Sequence, residues 1–506
     1  MKKRILSILL LLCLLLTACR TQPPTDTTGS SAPACAHADS NDDGLCDDCK
    51  ESVIVVIDFY TVNDLHGKLS DTNAQPGVDE LTTYLKNARQ TDDHVILLSA
   101  GDMWQGTSES NLTQGNLITD WMNQLDFAAM ALGNHEFDWG EDAIEDNAEL
   151  AEFPFLAINI YDRQTNQPVD YCQASVTVEC GGAQIGIIGA IGDCYSSISS
   201  EQTKGIYFKT GSQLTQLVKA ESEKLRSEGA DFIVYVLHDG GTGDSGTVSD
   251  RQLASYYDIS LSDGYVDLVF EGHTHRSYRM TDSQGVVHLQ GGGDNKGITH
   301  VEISVNIANQ GSDIRQSEFL STSTYTSLED DPVVEELLDK YAQQIAPADR
   351  VVGSISHYIG QDEARQLVAD LYYQVGLERW GKEYDIALGG GFISIRSPKY
   401  LPAGQVTYGQ LQTLFPFDNE LVLCSVSGRN LKSKFFESDH YAYFISYGPY
   451  GEALRKNIDP NGTYYIIVDT YTSTYGPNGL TEIERYDPGI YARDLLADYI
   501  EAGKLS

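Results

Sequence analysis

The sequence predicts an α/β protein: a layered sheet-and-helix unit followed by a smaller α+β unit. Three observations predict it. Strand-length apolar runs recur between residues 53 and 275, and each ends at once in a polar cluster. Successive residues within these runs are apolar, so both faces of each strand are covered, as in sheets packed between other layers. After a Ser/Thr-rich stretch at 321–327, a helical pattern and then shorter, glycine-punctuated runs follow. The 506 residues suffice for roughly two to four domains. Hydrophobic residues at 41% exclude a disordered or collagenous chain. The formal net charge of −39 argues against a nucleic-acid polymer as partner, because no Lys/Arg run follows the first four residues to offset it.

At the amino end, Lys2, Lys3 and Arg4 precede the apolar run from Ile5 to Leu16, too short for a membrane span. It ends in Leu16-Thr17-Ala18-Cys19, which resembles a bacterial lipobox. The resemblance implies that 1–19 is a lipoprotein signal peptide, that Cys19 receives the lipid, and that the protein is exported and held at the membrane by acyl chains. A cleaved signal with an incidental cysteine is the alternative. Residues 20–50 read as a tether, rich in Thr, Ser, Pro and Gly over 20–34. Three readings of 35–49 stay open. Cys35, His37, Cys46 and Cys49 suit a zinc site, whereas Asp39, Asn41 and Asp43 before Gly44 resemble the start of a calcium loop. An acidic linker with one disulfide is the third. Cys172 and Cys180 are candidates for pairing across a hairpin.

The five apolar runs carry the functional signal. Val53 to Val62 leads to Asn63-Asp64-Leu65-His66-Gly67, and Val95 to Leu98 leads to Asp102. Phe127 to Leu132 leads to Gly133-Asn134-His135-Glu136-Phe137-Asp138. Ile233 to Leu237 leads to His238, and Leu268 to Phe270 leads to Gly272-His273-Thr274-His275. Open α/β sheets place ligands at the carboxyl ends of their strands, where all five clusters sit. Imidazole, carboxylate and amide oxygens suit divalent metals. The clusters offer too many ligands for one tetrahedral ion but suit two ions about 3.5–4 Å apart, the arrangement for phosphate-ester hydrolysis. His94, His288, His300, His357 and His440 lack this context and receive no role.

At these residues the chain resembles the calcineurin-like metallophosphoesterases, and more narrowly the two-domain 5'-nucleotidase family. The resemblance implies a four-layer α/β/β/α domain over 51–325, a linker helix over 326–346 and an α+β substrate-binding domain over 347–506. It implies that Asp64, His66 and His275 hold one divalent ion, that Asn134, His238 and His273 hold a second, and that Asp102 bridges them. Mn, Zn, Fe, Co and Mg all tolerate such ligands. His135 is similar to the family histidine that stabilises charge on the phosphoryl group, and Asp138 would orient it. A further metal ligand and a helix cap are the respective alternatives.

In the second half, Leu388-Gly389-Gly390-Gly391, Arg396 and Pro416-Phe417-Asp418-Asn419 resemble the family's nucleoside- and phosphate-binding segments. The resemblance implies substrate contacts from Gly390, Gly391, Arg396, Phe417, Tyr471 and Asn478. Phe417 and Tyr471 would sandwich the base, with Tyr475 as the alternative ring and core filling as the alternative role. The chain departs from the family here: Leu388 stands in place of an asparagine, and four residues separate the glycines from Arg396. The implied activity is hydrolysis of nucleoside 5'-monophosphates or related nucleotides. The rivals are metallophosphoesterase action on nucleotide sugars, cyclic nucleotides or sugar phosphates, and non-catalytic capture of nucleotide or metal.

Overall fold

The computed structural model describes residues 38–505 except 42, 71–75, 242–264, 283–284, 397, 438–442, 448–450, 452, 477–478 and 488. Cys19, Cys35, His37 and Asn478 therefore lie outside the described residues.

Two six-stranded sheets face one another in the first half. One runs in the order Gly311–Ser321, Gly297–Asn306, Ile54–Val62, Val95–Ser99, Ala129–Ala131, Phe155–Leu156. The other runs Ser277–Thr281, Val287–Gly291, Leu268–Glu271, Phe232–His238, Ala183–Ile191, Ser175–Cys180. The unbroken apolar runs are explained by what each face meets. In Val95–Ser99, Ile96 and Leu98 enter the core between the sheets, while Val95 and Leu97 meet the outer helices. In Phe232–His238, Phe232, Val234 and Val236 turn inward, while Ile233, Tyr235 and Leu237 meet helix Ser212–Ser227. Helices Asp79–Thr91, Asn116–Gln124, Glu141–Leu150 and Pro332–Ile345 cover the first sheet's outer face. The result is the α/β/β/α layering, with one core between the sheets and one beneath each helical layer.

The parallel neighbours Ile54–Val62, Val95–Ser99 and Ala129–Ala131 end at one edge, and the parallel pair Phe232–His238 and Leu268–Glu271 ends beside it. All five predicted clusters meet there. Helix Pro332–Ile345 starts at Asp331, whose side chain accepts from Val333 N at 2.9 Å, with Pro332 in the first turn. Val333, Val334, Leu337 and Tyr341 bury against the first half, and Tyr341 Oη donates to Asp120 at 2.5 Å. The second half holds a five-stranded sheet in the order Phe444–Tyr447, Ile386–Gly391, Thr463–Asp469, Leu421–Ser427, Leu480–Arg485. Helices Gln361–Trp380 and Ala492–Glu501 contribute to its core. Among the described residues no helix is long and apolar enough to cross a membrane.

The structure overturns the Cys172–Cys180 pairing. Both are free thiols. Cys180 pairs with Ala183 at the hairpin, while Cys172 precedes the other end of the same strand, Ser175–Cys180. An extended segment of this length spans far more than the ~6 Å that a disulfide allows between Cα atoms. In the 35–49 segment, Asp39 turns to the protein itself. It accepts from Asp43 N, Gly44 N and Asn306 Nδ2 at 3.1, 2.9 and 3.1 Å.

Candidate active site

Asp64 and His66 leave strand Ile54–Val62, and His273 and His275 leave strand Leu268–Glu271. Asp64, His66, Asp102, His273 and His275 all have positive φ, between 50° and 74°. Non-glycine residues rarely adopt this conformation, and it concentrates where structure is over-determined for function. Glycine admits the close approach. A Cβ on Gly133 would stand 2.3 Å from Asp102 Oδ1, and one on Gly101 (φ +86°) 2.8 Å from His238 Nδ1.

The seven predicted ligands converge. His66 Nε2 lies 2.9 Å from His275 Nε2, which is 3.4 Å from Asp64 Oδ1. His238 Nε2 lies 3.2 Å from Asp102 Oδ2 and 3.3 Å from Asn134 Oδ1, which is 2.8 Å from His273 Nδ1. Two of the three metal-capable triads among the described residues, Asp64–His66–His275 and Asp64–Asp102–His238, each have ligand atoms within 4.8 Å of one another. Each imidazole's other nitrogen is fixed where a carbonyl reaches it. His66 Nδ1 meets Gln105 O at 2.8 Å, and His238 Nδ1 meets Ala100 O at 2.6 Å, which leaves Nε2 turned to the centre.

The electrostatics call for cations. Asp64, His66, Asp102, Asn134 and His238 are buried. Burial opposes the Asp102 carboxylate, but His238 and then His135 outweigh it and hold Asp102 well below the usual range. Burial likewise opposes the His238 imidazolium, yet Asp102 and Asp64 raise it to about 10. Two carboxylates thus compete for the nearest positive charge. Burial and then Arg396 lower His275 to about 3, and burial and then His238 lower His273 to about 4. His66, His273 and His275 are thus held in the neutral ligand form, while the proton on His238 sits between two carboxylates where a cation would replace it, and the donor set fits two divalent ions.

His135 and Asp138 meet, with Nδ1 2.9 Å from Asp138 Oδ2. Burial lowers His135, but Asp138 and Asp102 prevail and raise it. Asp138 does not cap the following helix Glu141–Leu150, whose N-cap is Gly140. From the second half, Arg396 donates Nη1 to His66 Nε2 at 3.2 Å and Nη2 to His135 Nε2 at 3.0 Å. The Phe417 ring centre lies 5.9 Å from that of His135. A cleft of about 670 Å³ opens from the metal end between the halves. Asn134, His135, Asp138, Phe417, Tyr471 and Tyr475 line it. Both tyrosines and Phe417 are half-buried, so none is simply core. Tyr475 Oη donates to Ile198 O across the two halves. Gly390 and Gly391 are elsewhere: they are buried in a strand, where Cβ atoms would strike Phe444 O and Thr472 Oγ1. Their requirement for glycine comes from packing together with positive φ, 134° and 156°, and neither lines the cleft.

Sequence reasoning passed over two residues. Glu136 is buried and accepts from Asp102 N, Met103 N and Gly133 N at 2.8, 2.8 and 2.7 Å, tying two ligand loops together. Asn63 donates to Asp64 Oδ2 and Gly292 O, both at 2.5 Å, and accepts from Gly291 N at 2.9 Å. Both stand inside the ligand motifs, but nothing local marks the backbone groups that they hold.

Comparison with known proteins agrees with this geometry. Residues 57–277 match the calcineurin-like phosphoesterase model, and residues 344–450 match the 5'-nucleotidase C-terminal domain. Protein UshA of Yersinia enterocolitica is 24% identical over 88% of this chain and 90% of its own length. A 5'-nucleotidase of Vibrio vulnificus is 32% identical over 36% of this chain and 32% of its own. In fold, the chain resembles a 5'-nucleotidase precursor of Thermus thermophilus, with a TM-score of 0.66, 18% identity and coverage of 89% and 97%.

Proposed function

From the chain's membership of the calcineurin-like phosphoesterases of the two-domain 5'-nucleotidase type, which are dimetal phosphoester hydrolases acting on nucleotides, we propose that it hydrolyses nucleoside 5'-monophosphates. The observation that carries the reading is Arg396, a second-half cation bonded to both His66 and His135, beside the Phe417 ring. It puts a phosphate-seeking fork and a stacking surface at the mouth of the metal centre.

Asp64, His66 and His275 would hold the first ion, Asn134, His238 and His273 the second, and Asp102 both. When bound, the metal pair supplies an activated water and positive charge for the phosphoryl oxygens. His135, held by Asp138 at Nδ1 and raised toward its protonated form, would donate Nε2–H to the phosphoryl group once Arg396 has left that nitrogen, and stabilise the charge that develops there. Nε2 of His66, which Arg396 meets in this structure, is the ligand atom for the first ion, so Arg396 would turn its N–H groups to the phosphoryl oxygens of the substrate instead. Phe417 and Tyr471 line the cleft where the base would lie.

We assign residues 51–325 to the catalytic domain, 326–346 to the linker and 347–506 to the substrate domain. We further propose export and lipid anchoring at Cys19. Replacing Cys19 by Ala should move the protein from the detergent phase to the aqueous phase, and unchanged partitioning would refute the anchor. The activity is tested by phosphate release from AMP, UDP-glucose, cyclic 2',3'-AMP, a sugar phosphate and bis-p-nitrophenyl phosphate, with Mn and with chelator. Metal-dependent release from AMP, lost in His135→Ala, is expected. Turnover of the diester or sugar phosphate alone would discard the nucleotidase reading.

A further inference from the structure

One buried thiol at the metal end has no part in this mechanism. Cys194 lies in the turn Asp193–Ser197, just beyond strand Ala183–Ile191. It is 6% exposed and forms no disulfide. Its Sγ and ring nitrogens of His238 and His273 all lie within 4.8 Å of one another. The turn is fastened to the end of strand Phe232–His238. Gly192 N and Cys194 Sγ donate to His238 O at 3.0 and 2.9 Å, and Asp193 N donates to Asp239 Oδ2 at 2.7 Å. A Cβ on Gly192 would stand 2.2 Å from Asp239 Oδ2, so this close docking needs the glycine. The sulfur is therefore held beside two imidazoles of the second ligand set.

We propose that Cys194 is a ligand of the second metal ion, joining Asn134, His238 and His273. This rests on the dimetal reading above. The thiol proton leaves to solvent as the cation takes its place. A thiolate is a soft ligand, so the site acquires a preference for zinc over manganese and magnesium, which favour oxygen.

The test is cobalt(II) substitution of the full chain with the cysteines of the 35–49 segment replaced by serine, and thiolate-to-cobalt charge-transfer absorption as readout, comparing native Cys194 with Cys194→Ser and Cys424→Ser. Serine at 194 keeps the size and the hydrogen bond to the His238 carbonyl, and Cys194→Ala provides a second variant should it not fold. Cys424 is a buried thiol of the second half and controls for cysteines elsewhere. The chain with native Cys194 and Cys424→Ser should show the band, while both Cys194 variants should bind cobalt without it. Zinc affinity should fall roughly tenfold or more in the Cys194 variants, with manganese affinity retained. Two bound cobalt ions without a band in the chain with native Cys194, or a band that survives in Cys194→Ser, would overturn the assignment and leave the dimetal reading standing. A chain with native Cys194 that binds no cobalt at all would overturn both.

Discussion

The metal end and the cleft wall are built in opposite ways. At the metal end the ligands sit on or just beyond strand ends, five of the seven have positive φ, and neighbouring backbone groups fix them from a second side. In the cleft wall, Phe417 lies on a connecting segment and Tyr471 and Tyr475 on the short helix Thr470–Tyr475, all three half-buried. The buried Arg493 donates to Phe417 O at 3.2 Å, and Asp469 caps the turn of Tyr471 by accepting from Thr472 N at 2.7 Å. On the proposed function, the chemistry is locked into the backbone, whereas substrate choice would hang on side chains that can be exchanged singly. The wall can therefore depart from the family's pattern while the metal end does not.

The largest expected effect attacks the locked region. Asp102→Asn should remove the shared carboxylate charge, lower metal content and reduce turnover of every substrate by roughly 10³-fold or more. Full activity with two ions bound would erase the distinction between the two regions. Next is Arg396→Ala, which should cost about 10²–10³-fold in kcat while metal content stays at the native level. Loss of metal in that variant would place Arg396 with the locked part instead.

A third test probes the support behind the GHTH segment. His288 is buried, with Nδ1 3.0 Å from Glu271 Oε1, and Glu271 also accepts from Tyr278 Oη. Tyr278 and Gln290 continue this network to Thr274. Burial pulls the His288 imidazolium down, but Glu271 and Asp282 outweigh it and raise it to about 9. Because the folded value lies above the unfolded one, the stabilisation is complete below about pH 6.5 and is lost as pH rises through about 9. Its size is on the order of 3 kcal/mol. Calorimetric Tm should fall more steeply across that window in the native protein than in His288→Gln, and equal slopes would contradict it.

The smallest effect belongs to the exchangeable region. Phe417→Ala should raise KM for nucleotides by about 1–3 kcal/mol of lost stacking and leave kcat and sugar-phosphate hydrolysis nearly unchanged. An equal rise for sugar phosphates would show that the ring does not read the base.

Legibility in the sequence follows the same division. The five clusters could be read because each follows its strand directly and strand ends share one edge, so local order specifies spatial convergence. The layered class could be read from runs such as Val95–Leu98, whose two faces meet different cores. The roles of Glu136 and Asn63 could not, since their value lies in backbone donors from loops distant in sequence. Gly390 and Gly391 meet a packing requirement in their strand, and their contact with substrate rests on the resemblance alone. Arg396 was identified by resemblance, but its reach to His66 and His135 depends on how the two halves meet, which no local pattern encodes.

On the proposed function, the second half would turn a general dimetal hydrolase into one that selects nucleotides. The most direct test of this is the ratio of kcat/KM for AMP to that for bis-p-nitrophenyl phosphate, in the native chain and in Phe417→Ala, at fixed metal load. The ratio should fall by roughly tenfold, through AMP alone. An unchanged ratio, with both substrates affected alike or neither affected, would contradict the account.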